Sequence, residues 1–469
     1  MAKILLFNPP GPQGKGYTRE GRCTQEAGVW SVQWPPVSLA SAAKLLEKDG
    51  HAVKIVDFPA NGSDLSSMKE IVEGYQPDIA IWNTGTPTLH FDLSIARTIK
   101  ALAPEAITCV MGTHVTAHPE EALDYSAVDI VIRKEPEQII RNLCRSDRRE
   151  FRSIRGISYR GGKGGKVYHN PDEGFFRPED IPSPAWQYLD ISPYRLPLKG
   201  RPFLIVAPIR GCPYACNFCT APIYYGKRLR KRPVPNVMDE IERDIARFQV
   251  RDFFIWADTF TVDKGYVRKF SNEIIKRGLD ISWTCNSRVD TVDEETLRIM
   301  KDAGLWMISF GLESGNNDIL RATGKNISVE QSIQAVLMAN RLGIKVSGHF
   351  IFGLPGETER TMEQTLRLSL DLPLDIAQFY SAAPFPGTGL YREALKNGWL
   401  KQDSGFSQSH AVMDLPGLPA REVDRFRKYA YMRFYLRSEA LLRLVSMAER
   451  DTIRNIITNL SRFIKWVKG

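Results

Sequence analysis

Long apolar runs are missing from this sequence of 469 residues, in which no stretch of about 18 consecutive apolar side chains occurs. A helix that crosses a bilayer needs such a run, so we expect no membrane-spanning segment. The first residues, MAKILLFNPP, also lack the charged region, apolar stretch and small-residue cleavage site of an export signal. We therefore expect a cytoplasmic protein whose first residues form a strand.

Cysteine is scarce and odd in number, with seven residues in the whole chain. An odd count in a protein expected in the cytoplasm argues against a disulfide framework and for reduced thiols. Charge of one sign does not dominate, because 63 Lys and Arg face 54 Asp and Glu, for a net charge of +9. The length predicts two or three domains rather than one.

Apolar runs alternate with helical patterns five times over residues 1–145. Because continuous apolar runs indicate strands buried on both faces, we predict an α/β fold that begins with a doubly wound, Rossmann-like parallel sheet. In the first helix, near 38–49, Ser38 is the expected N-cap and Gly50 the expected end. The predicted strands are 3–7, 52–58, 78–83, 106–112 and 128–133.

Residues 146–198 are rich in glycine and proline, and we interpret them as a linker with a hairpin around ISYRGGKGGKVYH. Six strand and helix units over 199–416 then predict a partial (β/α)6 barrel of the TIM type, with its site at the carboxyl ends of the strands. Residues 417–469 are predicted to be C-terminal helices. The barrel strands are expected at 203–209, 252–257, 281–286, 306–312, 346–353 and 376–382.

Three cysteines lie in one loop directly after the first barrel strand, in RGCPYACNFCTAP. Cys212, Cys216 and Cys219 have the spacing C-x3-C-x2-C. Three thiolates on one loop can each bind one iron of a cubane [4Fe-4S] cluster and leave the fourth iron open. A closed zinc site needs a fourth ligand, and no histidine lies between residues 170 and 348. Zinc and buried core cysteines remain the alternatives.

This loop resembles the signature of the radical S-adenosylmethionine (SAM) superfamily, in which an aromatic residue, here Phe218, precedes the last cysteine. The resemblance covers about residues 200–400. It implies a [4Fe-4S] cluster that binds SAM at its open iron and cleaves it to a 5′-deoxyadenosyl radical. Later strand exits match the family in order, and they nominate as SAM contacts Ala257, Asp258, Thr259, Asn286, Arg288 and Glu313.

An α/β domain ahead of such a barrel resembles the cobalamin-binding radical SAM enzymes. Backbone donors at strand ends would hold the corrin, and the candidates are Thr84, Gly85, Thr86, Gly112 and Thr113. The D-x-H-x-x-G motif that places a histidine below cobalt is absent. We therefore expect base-off cobalamin without a histidine ligand, with its lower face covered by Trp30, Trp34 and Val37.

The other histidines and cysteines near this domain have plainer interpretations. His114 and His118 are expected to be loop or capping residues. The four cysteines outside the loop are expected to be buried in the core rather than to bind a second cluster, and they are Cys23, Cys109, Cys144 and Cys285.

The resemblance implies an enzyme that methylates an unactivated carbon of a small molecule. The first alternative keeps both cofactors and resembles the anaerobic magnesium-protoporphyrin monomethyl ester cyclase. The others are a radical SAM enzyme that modifies RNA and a cobalamin carrier or sensor without catalysis.

Partners follow from the same observations. The resemblance implies an electron donor such as flavodoxin or ferredoxin. The basic run GKRLRKRP (226–233) is short and lacks aromatics, so nucleic acid is not expected, although its cations could face an anionic substrate or the SAM carboxylate. The tail 417–469 carries 12 Lys or Arg against 5 Asp or Glu, which leaves peripheral membrane contact as a further hypothesis.

Overall fold

A computed structural model describes residues 1–20, 25–26, 33–146, 150–161, 165–196, 198–400, 406–449 and 452. The chain divides into two units. The first is Met1–Tyr194 with the short segments Thr220–Gly226 and Phe385–Thr388, and the second is Arg195–Cys219, Lys227–Pro384 and Gly389–Gly469. Over the described ranges, no helix has the length and apolar character to cross a membrane.

The first unit consists of strands and helices that alternate along the chain. Its strands are β1 (Lys3–Asn8), β2 (Tyr17–Thr18), β3 (Gln25–Glu26), β4 (Ala52–Asp57), β5 (Ile79–Asn83), β6 (Ile107–Met111), β7 (Ile130–Ile132), β8 (Ile157–Gly161) and β9 (Lys166–His169). Its helices are α1 (Val37–Lys48), α2 (Leu65–Tyr75), α3 (Leu89–Leu102), α4 (Thr113–Ala117), α5 (Pro119–Leu123), α6 (Pro136–Arg145) and α7 (Ala221–Tyr224).

The main sheet of this unit has the order β4-β1-β5-β6-β7-β8-β9. The five strands from β4 to β7 are parallel, which confirms the predicted Rossmann-like sheet. Their order is that of flavodoxin-like folds, so the strand order reverses between β1 and β5, where ligands of such sheets bind. The predicted hairpin is confirmed as β8 and β9, which pair antiparallel and extend the sheet with residues that the sequence pattern assigned to a linker.

The start of α1 differs from the prediction. Pro36 occupies the N-cap position without a side-chain cap, and Ser38 lies inside the helix, so Ser38 as N-cap was wrong. The carboxylate of Glu20 instead accepts hydrogen bonds from the Ser38 amide at 3.3 Å and from the Ser38 hydroxyl at 2.9 Å. A carboxylate at a helix N-terminus satisfies free amides as a cap does, and it also interacts favourably with the helix dipole. The predicted end at Gly50 is confirmed by its φ of +77°.

The second unit repeats strand and helix six times and then ends in helices. Its strands are β10 (Phe203–Val206), β11 (Ile209–Arg210), β12 (Arg230–Lys231), β13 (Asp252–Ile255), β14 (Ser282–Ser287), β15 (Leu305–Glu313), β16 (Lys345–Phe352) and β17 (Ile376–Ser381). Its helices are α8 (Val234–Phe248), α9 (Lys264–Lys276), α10 (Glu294–Asp302), α11 (Asn317–Ala322), α12 (Val329–Arg341), α13 (Glu359–Asp371), α14 (Gly389–Lys396), α15 (Ala420–Tyr435) and α16 (Ser438–Met447).

Six parallel strands form the second sheet in the order β10-β13-β14-β15-β16-β17, as a partial (β/α)6 barrel requires. The first barrel strand is shorter than the predicted 203–209, because it ends at Val206. Pro208 follows and cannot donate to a ladder, and the chain then pairs Ile209 and Arg210 antiparallel with β12. This small ladder leads into the cysteine loop.

The last strand, β17, would expose an unpaired edge, and α15 covers it. The Tyr435 hydroxyl donates to the Ala377 carbonyl at 2.8 Å and accepts from the Ala377 amide at 3.2 Å. The Tyr431 hydroxyl accepts from the Phe379 amide at 3.1 Å. Buried backbone groups need partners, so these two hydroxyls take the place of a seventh strand.

Candidate functional site

The cysteine loop is held by backbone contacts within the second unit. Its entry, Gly211, has a φ of +89°. The Asn217 amide donates to the Thr323 carbonyl at 2.9 Å, and the Leu390 amide donates to the Asn217 carbonyl at 2.9 Å. A Cβ on Gly324 would lie 2.9 Å from the Ala215 carbonyl oxygen, so glycine permits the close approach. These contacts fix the backbone that carries the three candidate ligands.

Of the three loop cysteines, Cys212 is buried, whereas Cys216 and Cys219 are partly exposed. The Cys219 amide donates to the Cys216 carbonyl at 3.2 Å, which closes a turn between them. Phe218 lies in this turn and is half-buried. The loop thus carries one buried thiol and two that reach its surface.

Two cations flank Cys216. The Arg288 Nη1 donates to the Cys216 Sγ at 3.8 Å. Burial raises the pKa of the Cys216 thiol to about 11, while the nearby Lys325 and Arg288 act to lower it. Cations beside a thiolate favour its charged form, which is the form that binds metal.

Both cations are fixed by carboxylates. Arg288 makes two hydrogen bonds of 2.9 Å to Asp290, donates to the Lys325 carbonyl at 2.8 Å, and lies 3.7 Å from the Tyr214 ring centroid. Lys325 donates to Glu313 at 2.8 Å, and both side chains are buried. The site therefore holds two positive and two negative side chains in a rigid arrangement beside the cysteines.

The cysteine loop fits an iron–sulfur cluster by its donor set and its charges. In a cubane each thiolate binds a different iron, so the ligands spread over the cluster instead of meeting at one ion. Within the ranges that the structure describes, no three His, Cys, Asp or Glu side chains converge closely enough to hold a single metal ion. Positive charge beside Cys216 would offset the negative charge that three thiolates bring.

The other SAM candidates follow the carboxyl ends of neighbouring strands. Ala257, Asp258 and Thr259 follow β13 and are buried, and the Thr259 hydroxyl donates to the Asp258 carbonyl at 2.8 Å. Asn286 lies near the end of β14. Glu313 ends β15 with a φ of +62°. Because parallel strands end at one edge, these residues stand at the same edge as the cysteine loop.

One face of the second sheet carries a row of polar side chains, all of them half-buried except Ser347, which is buried. The strand registers place Asn286 beside Ser309, and His349 beside Gln378. The His349 Nδ1 lies 3.2 Å from the Tyr380 hydroxyl, and their rings stack at 5.8 Å. We call this row the polar wall, and its members are Thr284, Asn286, Ser309, Ser347, His349, Gln378 and Tyr380.

A polar recess lies in the first unit at the carboxyl edge of its sheet. The Asn83 amide donates to the Asn8 side chain at 3.0 Å, so the recess adjoins the position where the strand order reverses. A Cβ on Gly112, whose φ is +143°, would lie 2.1 Å from the Thr84 carbonyl oxygen. The recess is lined by Arg19, Glu20, Asn83, Thr84, Gly112, Thr113 and Tyr224.

Three of the five cobalamin candidates, Thr84, Gly112 and Thr113, line this recess. Gly85 and Thr86 lie in the adjoining loop after β5. The absence of a side chain on Gly112 lets the Thr84 carbonyl approach closely, and this brings backbone groups together with the hydroxyls of Thr84 and Thr113 at the recess. Such polar groups fit the polar edge of a corrin. The lower-face candidate Trp30 lies outside the described residues, Trp34 is half-buried, and Val37 is buried as the first residue of α1.

His114 bridges two segments instead of facing the recess as a ligand. Its Nδ1 lies 3.1 Å from the Thr86 hydroxyl, and its Nε2 lies 2.9 Å from Glu121. His114 lies inside α4, so its expected position in a loop or cap was wrong, and its two engaged ring nitrogens join the loop after β5 to Glu121. Cys109, Cys144 and Cys285 are buried, and burial raises the pKa of each thiol. Cys23 lies outside the described residues.

Lys325, Asp290 and Tyr214 were missed by sequence reasoning. Lys325 follows Gly324 in a short loop between α11 and α12, where a lone lysine carries no distinctive pattern. In the basic run 226–233, Arg232 forms a buried ion pair of 2.6 Å with Glu240, and Lys231 pairs with Asp263. Those two cations are therefore paired with carboxylates of the protein.

Two models of known protein families match separate parts of the chain. The model of the radical SAM superfamily matches residues 206–369, and the model of the B12 binding domain matches residues 28–143. An uncharacterized methyltransferase of Pyrococcus horikoshii is 32% identical over 98% of this chain and 98% of its own length. The anaerobic magnesium-protoporphyrin IX monomethyl ester cyclase of Rubrivivax gelatinosus is 30% identical over 77% of this chain and 66% of its own.

The fold has a solved counterpart as well. The radical SAM methyltransferase TsrM from Kitasatospora setae, solved with cobalamin and a [4Fe-4S] cluster, superposes with a TM-score of 0.69 at 17% identity. The match covers 97% of this chain and 90% of TsrM. TsrM has also been solved with its tryptophan substrate and a SAM analogue. The chain described here belongs to the cobalamin-binding enzymes of the radical SAM superfamily.

Proposed function

We propose that the protein is a cobalamin-dependent methyltransferase that transfers a methyl group to an unactivated carbon of a small molecule. One observation carries the proposal: the chain has both a three-cysteine loop flanked by Arg288 and Lys325 and a polar recess lined by Thr84, Gly112 and Thr113. The Pyrococcus relative, which matches almost end to end, is named a methyltransferase, and so is TsrM.

In this proposal the second unit holds the cluster and SAM. Cys212, Cys216 and Cys219 bind three irons, and SAM occupies the open iron, with contacts from Phe218, Ala257, Asp258, Thr259, Asn286, Arg288 and Glu313. When bound, the cluster supplies the electron that cleaves SAM to methionine and a 5′-deoxyadenosyl radical, and cobalamin carries the methyl group. A flavodoxin or ferredoxin is the expected source of electrons.

The residues of the protein have positioning tasks. Arg288 and Lys325 balance the negative charge at Cys216, and their partners Asp290 and Glu313 keep them in place. Gly112, with Thr84, Gly85, Thr86 and Thr113, offers backbone and hydroxyl groups to the corrin. The polar wall suits a substrate with neutral hydrogen-bonding groups, because His349 and Tyr380 present an imidazole and a phenol rather than a fixed charge. Such a wall would orient the carbon that reacts.

A cyclase is the second candidate, because the Rubrivivax cyclase is 30% identical over 77% of this chain. It would use the same cofactors to oxidise a substrate without methylating it. The two candidates differ in the fate of SAM. A methyltransferase converts one SAM to S-adenosylhomocysteine for each SAM cleaved to 5′-deoxyadenosine, whereas a cyclase forms no S-adenosylhomocysteine in turnover.

Anaerobic reconstitution tests the proposal. Iron and cobalt are measured per chain, and mass spectrometry follows 5′-deoxyadenosine and S-adenosylhomocysteine. We expect about four irons for one cubane, stoichiometric cobalt and both SAM products. Iron without cobalt would refute the cobalamin part of the proposal. Formation of 5′-deoxyadenosine without S-adenosylhomocysteine would favour the cyclase. A chain without iron would refute the radical SAM assignment. Cobalt without SAM cleavage would indicate a carrier or sensor.

A further inference from the structure

The outer face of α16 carries two large apolar side chains that point to solvent, beside the exposed polar residues Ser438, Glu439 and Ser446. Ala440, Leu444 and Met447 are buried against the rest of the unit. Leu442 and Val445, three positions apart on the opposite face, are 69% and 54% exposed. A surface helix normally presents polar residues outward, so two exposed aliphatic side chains among them point to a second apolar environment.

The exposed residues of α15, the helix before α16 in the chain, include cations and an aromatic ring. Arg421, Arg425, Tyr429 and Arg433 recur at every fourth position and are exposed, and Leu436 follows at 57% exposure. Arg433 donates to the Tyr429 hydroxyl at 2.7 Å and lies 5.6 Å from the ring centroid. We call Arg421, Arg425, Tyr429, Arg433, Leu436, Leu442 and Val445 the outer strip.

Charge near the outer strip is mostly positive. Two acidic residues accompany it. Glu439 is exposed in the first turn of α16, and Glu422 forms ion pairs with Arg425 and Arg421. Arg433 donates to the neutral Tyr429 hydroxyl. Residues 453–469 lie outside the described part of the chain, and their sequence contains four Lys or Arg, no Asp or Glu, and both Phe463 and Trp466. The positive charge thus continues in the sequence beyond the strip.

We propose that the outer strip docks on an anionic lipid surface. Leu436, Leu442 and Val445 would enter the interface between headgroups and acyl chains, and Tyr429 would lie at headgroup level with its hydroxyl in water. Arg421, Arg425 and Arg433 would face the lipid phosphates. Contact of this kind is peripheral, so it needs no spanning helix. It would deliver the enzyme to substrates that partition into a membrane.

The composition of the strip favours lipid over other partners. RNA binding uses aromatic rings for stacking and polar groups for base edges, whereas this strip offers one tyrosine and three branched aliphatic side chains. A second copy of the chain would bring its own Arg421, Arg425 and Arg433 against the first set, and like charges would repel. An anionic bilayer satisfies the apolar and the cationic residues together.

Vesicle co-sedimentation of the full-length protein tests the proposal. We expect the wild type to sediment with vesicles of phosphatidylcholine and phosphatidylglycerol, less so with phosphatidylcholine alone, and less at high salt. Leu442→Glu/Val445→Glu should weaken binding by about tenfold or more, because two apolar contacts become charges that the surface repels. Arg433→Glu should also weaken binding to anionic vesicles, and less to neutral ones.

Leu395→Glu and Ile275→Glu are the matched controls, because these residues are 55% and 47% exposed on α14 and α9. Both should bind vesicles as the wild type does. The proposal is overturned if the wild type binds neither kind of vesicle, or if the controls lose as much binding as the strip variants. It is also overturned if Leu442→Glu/Val445→Glu abolishes only a dimer in sedimentation velocity, or only a shift of tRNA in gels.

Discussion

Cys216 has two positively charged side chains beside it, those of Arg288 and Lys325. Partial burial raises the pKa of the Cys216 thiol to about 11, whereas Arg288 and Lys325 lie beside it and oppose that shift. Both cations are buried and paired with the carboxylates of Asp290 and Glu313, which offsets the cost of burying them. Cys216 is partly exposed and has these cations beside it, whereas Cys285 is fully buried and burial alone raises the pKa of its thiol. This difference separates a proposed ligand from a core residue.

Replacement of Cys216 should therefore remove the cluster. In Cys216→Ala we expect iron per chain to fall to near zero after reconstitution, together with the visible absorbance of the cluster and 5′-deoxyadenosine formation, since three thiolates are needed. Cys285→Ala is the matched control. It should retain full iron and lose only about 1 kcal/mol of unfolding free energy through a small cavity. Full iron in Cys216→Ala would contradict the assignment.

In the first unit, Gly112 lines the recess that is proposed to hold cobalamin. Its φ of +143° lies where side chains are strained, and a Cβ would overlap the Thr84 carbonyl oxygen at 2.1 Å. In Gly112→Ala we expect cobalamin affinity, measured by equilibrium dialysis, to fall at least about tenfold. The added methyl group would displace the Thr84 carbonyl and so shift the backbone that lines the recess. Iron bound by the second unit should stay unchanged, which separates this effect from general unfolding.

Gly74→Ala is the control for that experiment. Gly74 lies inside α2 with nothing near the position of its Cβ. Alanine is a better helix former there, so we expect unchanged cobalamin affinity and a gain of about 0.5–1 kcal/mol in stability. Equal cobalamin affinity in the two variants would mean that the recess at Gly112 does not bind the corrin.

At the scale of elements, the pairing of α15 with the edge of β17 yields a stability prediction. Tyr435→Phe removes a hydroxyl that bonds both the amide and the carbonyl of Ala377. We expect a loss of about 1–3 kcal/mol in chemical denaturation, because buried backbone groups are left without partners. Tyr429→Phe on the exposed face of the same helix should change stability by less than about 0.5 kcal/mol. Similar losses in both variants would contradict this role for Tyr435.

Elements with strong patterns were predictable from the sequence, and those set by tertiary contacts were not. Apolar runs located all five parallel strands of the first sheet, and alternating burial agrees with β14 and β17 of the second. The N-cap of α1 was wrong, because Glu20, distant in sequence, satisfies the Ser38 amide. The first barrel strand was too long in the prediction, because Pro208 and the β11–β12 ladder divide that apolar segment.

The candidate sites, too, were predictable only where a local sequence pattern marks their residues. Cys212, Cys216 and Cys219 were nominated as cluster ligands from spacing alone, since one short loop carries them, and that role stays a prediction. Lys325 and Asp290 were not, because their importance depends on an ion pair with Glu313 and a two-bond contact with Arg288. Likewise, the polar wall follows from the register between strands, which a sequence without partners does not specify.

At the scale of the whole molecule, two units with different binding features belong to one chain. The radical SAM family model matches residues 206–369 and the B12 binding model matches residues 28–143. A radical-generating unit alone would cleave SAM, whereas a corrin-binding unit adds a carrier for the methyl group. The pairing of the two units is the reason to propose methyl transfer rather than hydrogen abstraction alone.

Transfer of an isotope-labelled methyl group tests this claim most directly. The anaerobically reconstituted enzyme is incubated with a reductant, a small-molecule extract and SAM whose methyl group is trideuterated, and the products are followed by mass spectrometry. We predict a small molecule that carries the deuterated methyl group on carbon, with S-adenosylhomocysteine and 5′-deoxyadenosine formed in equal amounts. SAM cleavage that consumes a substrate while no product receives the label would contradict the account.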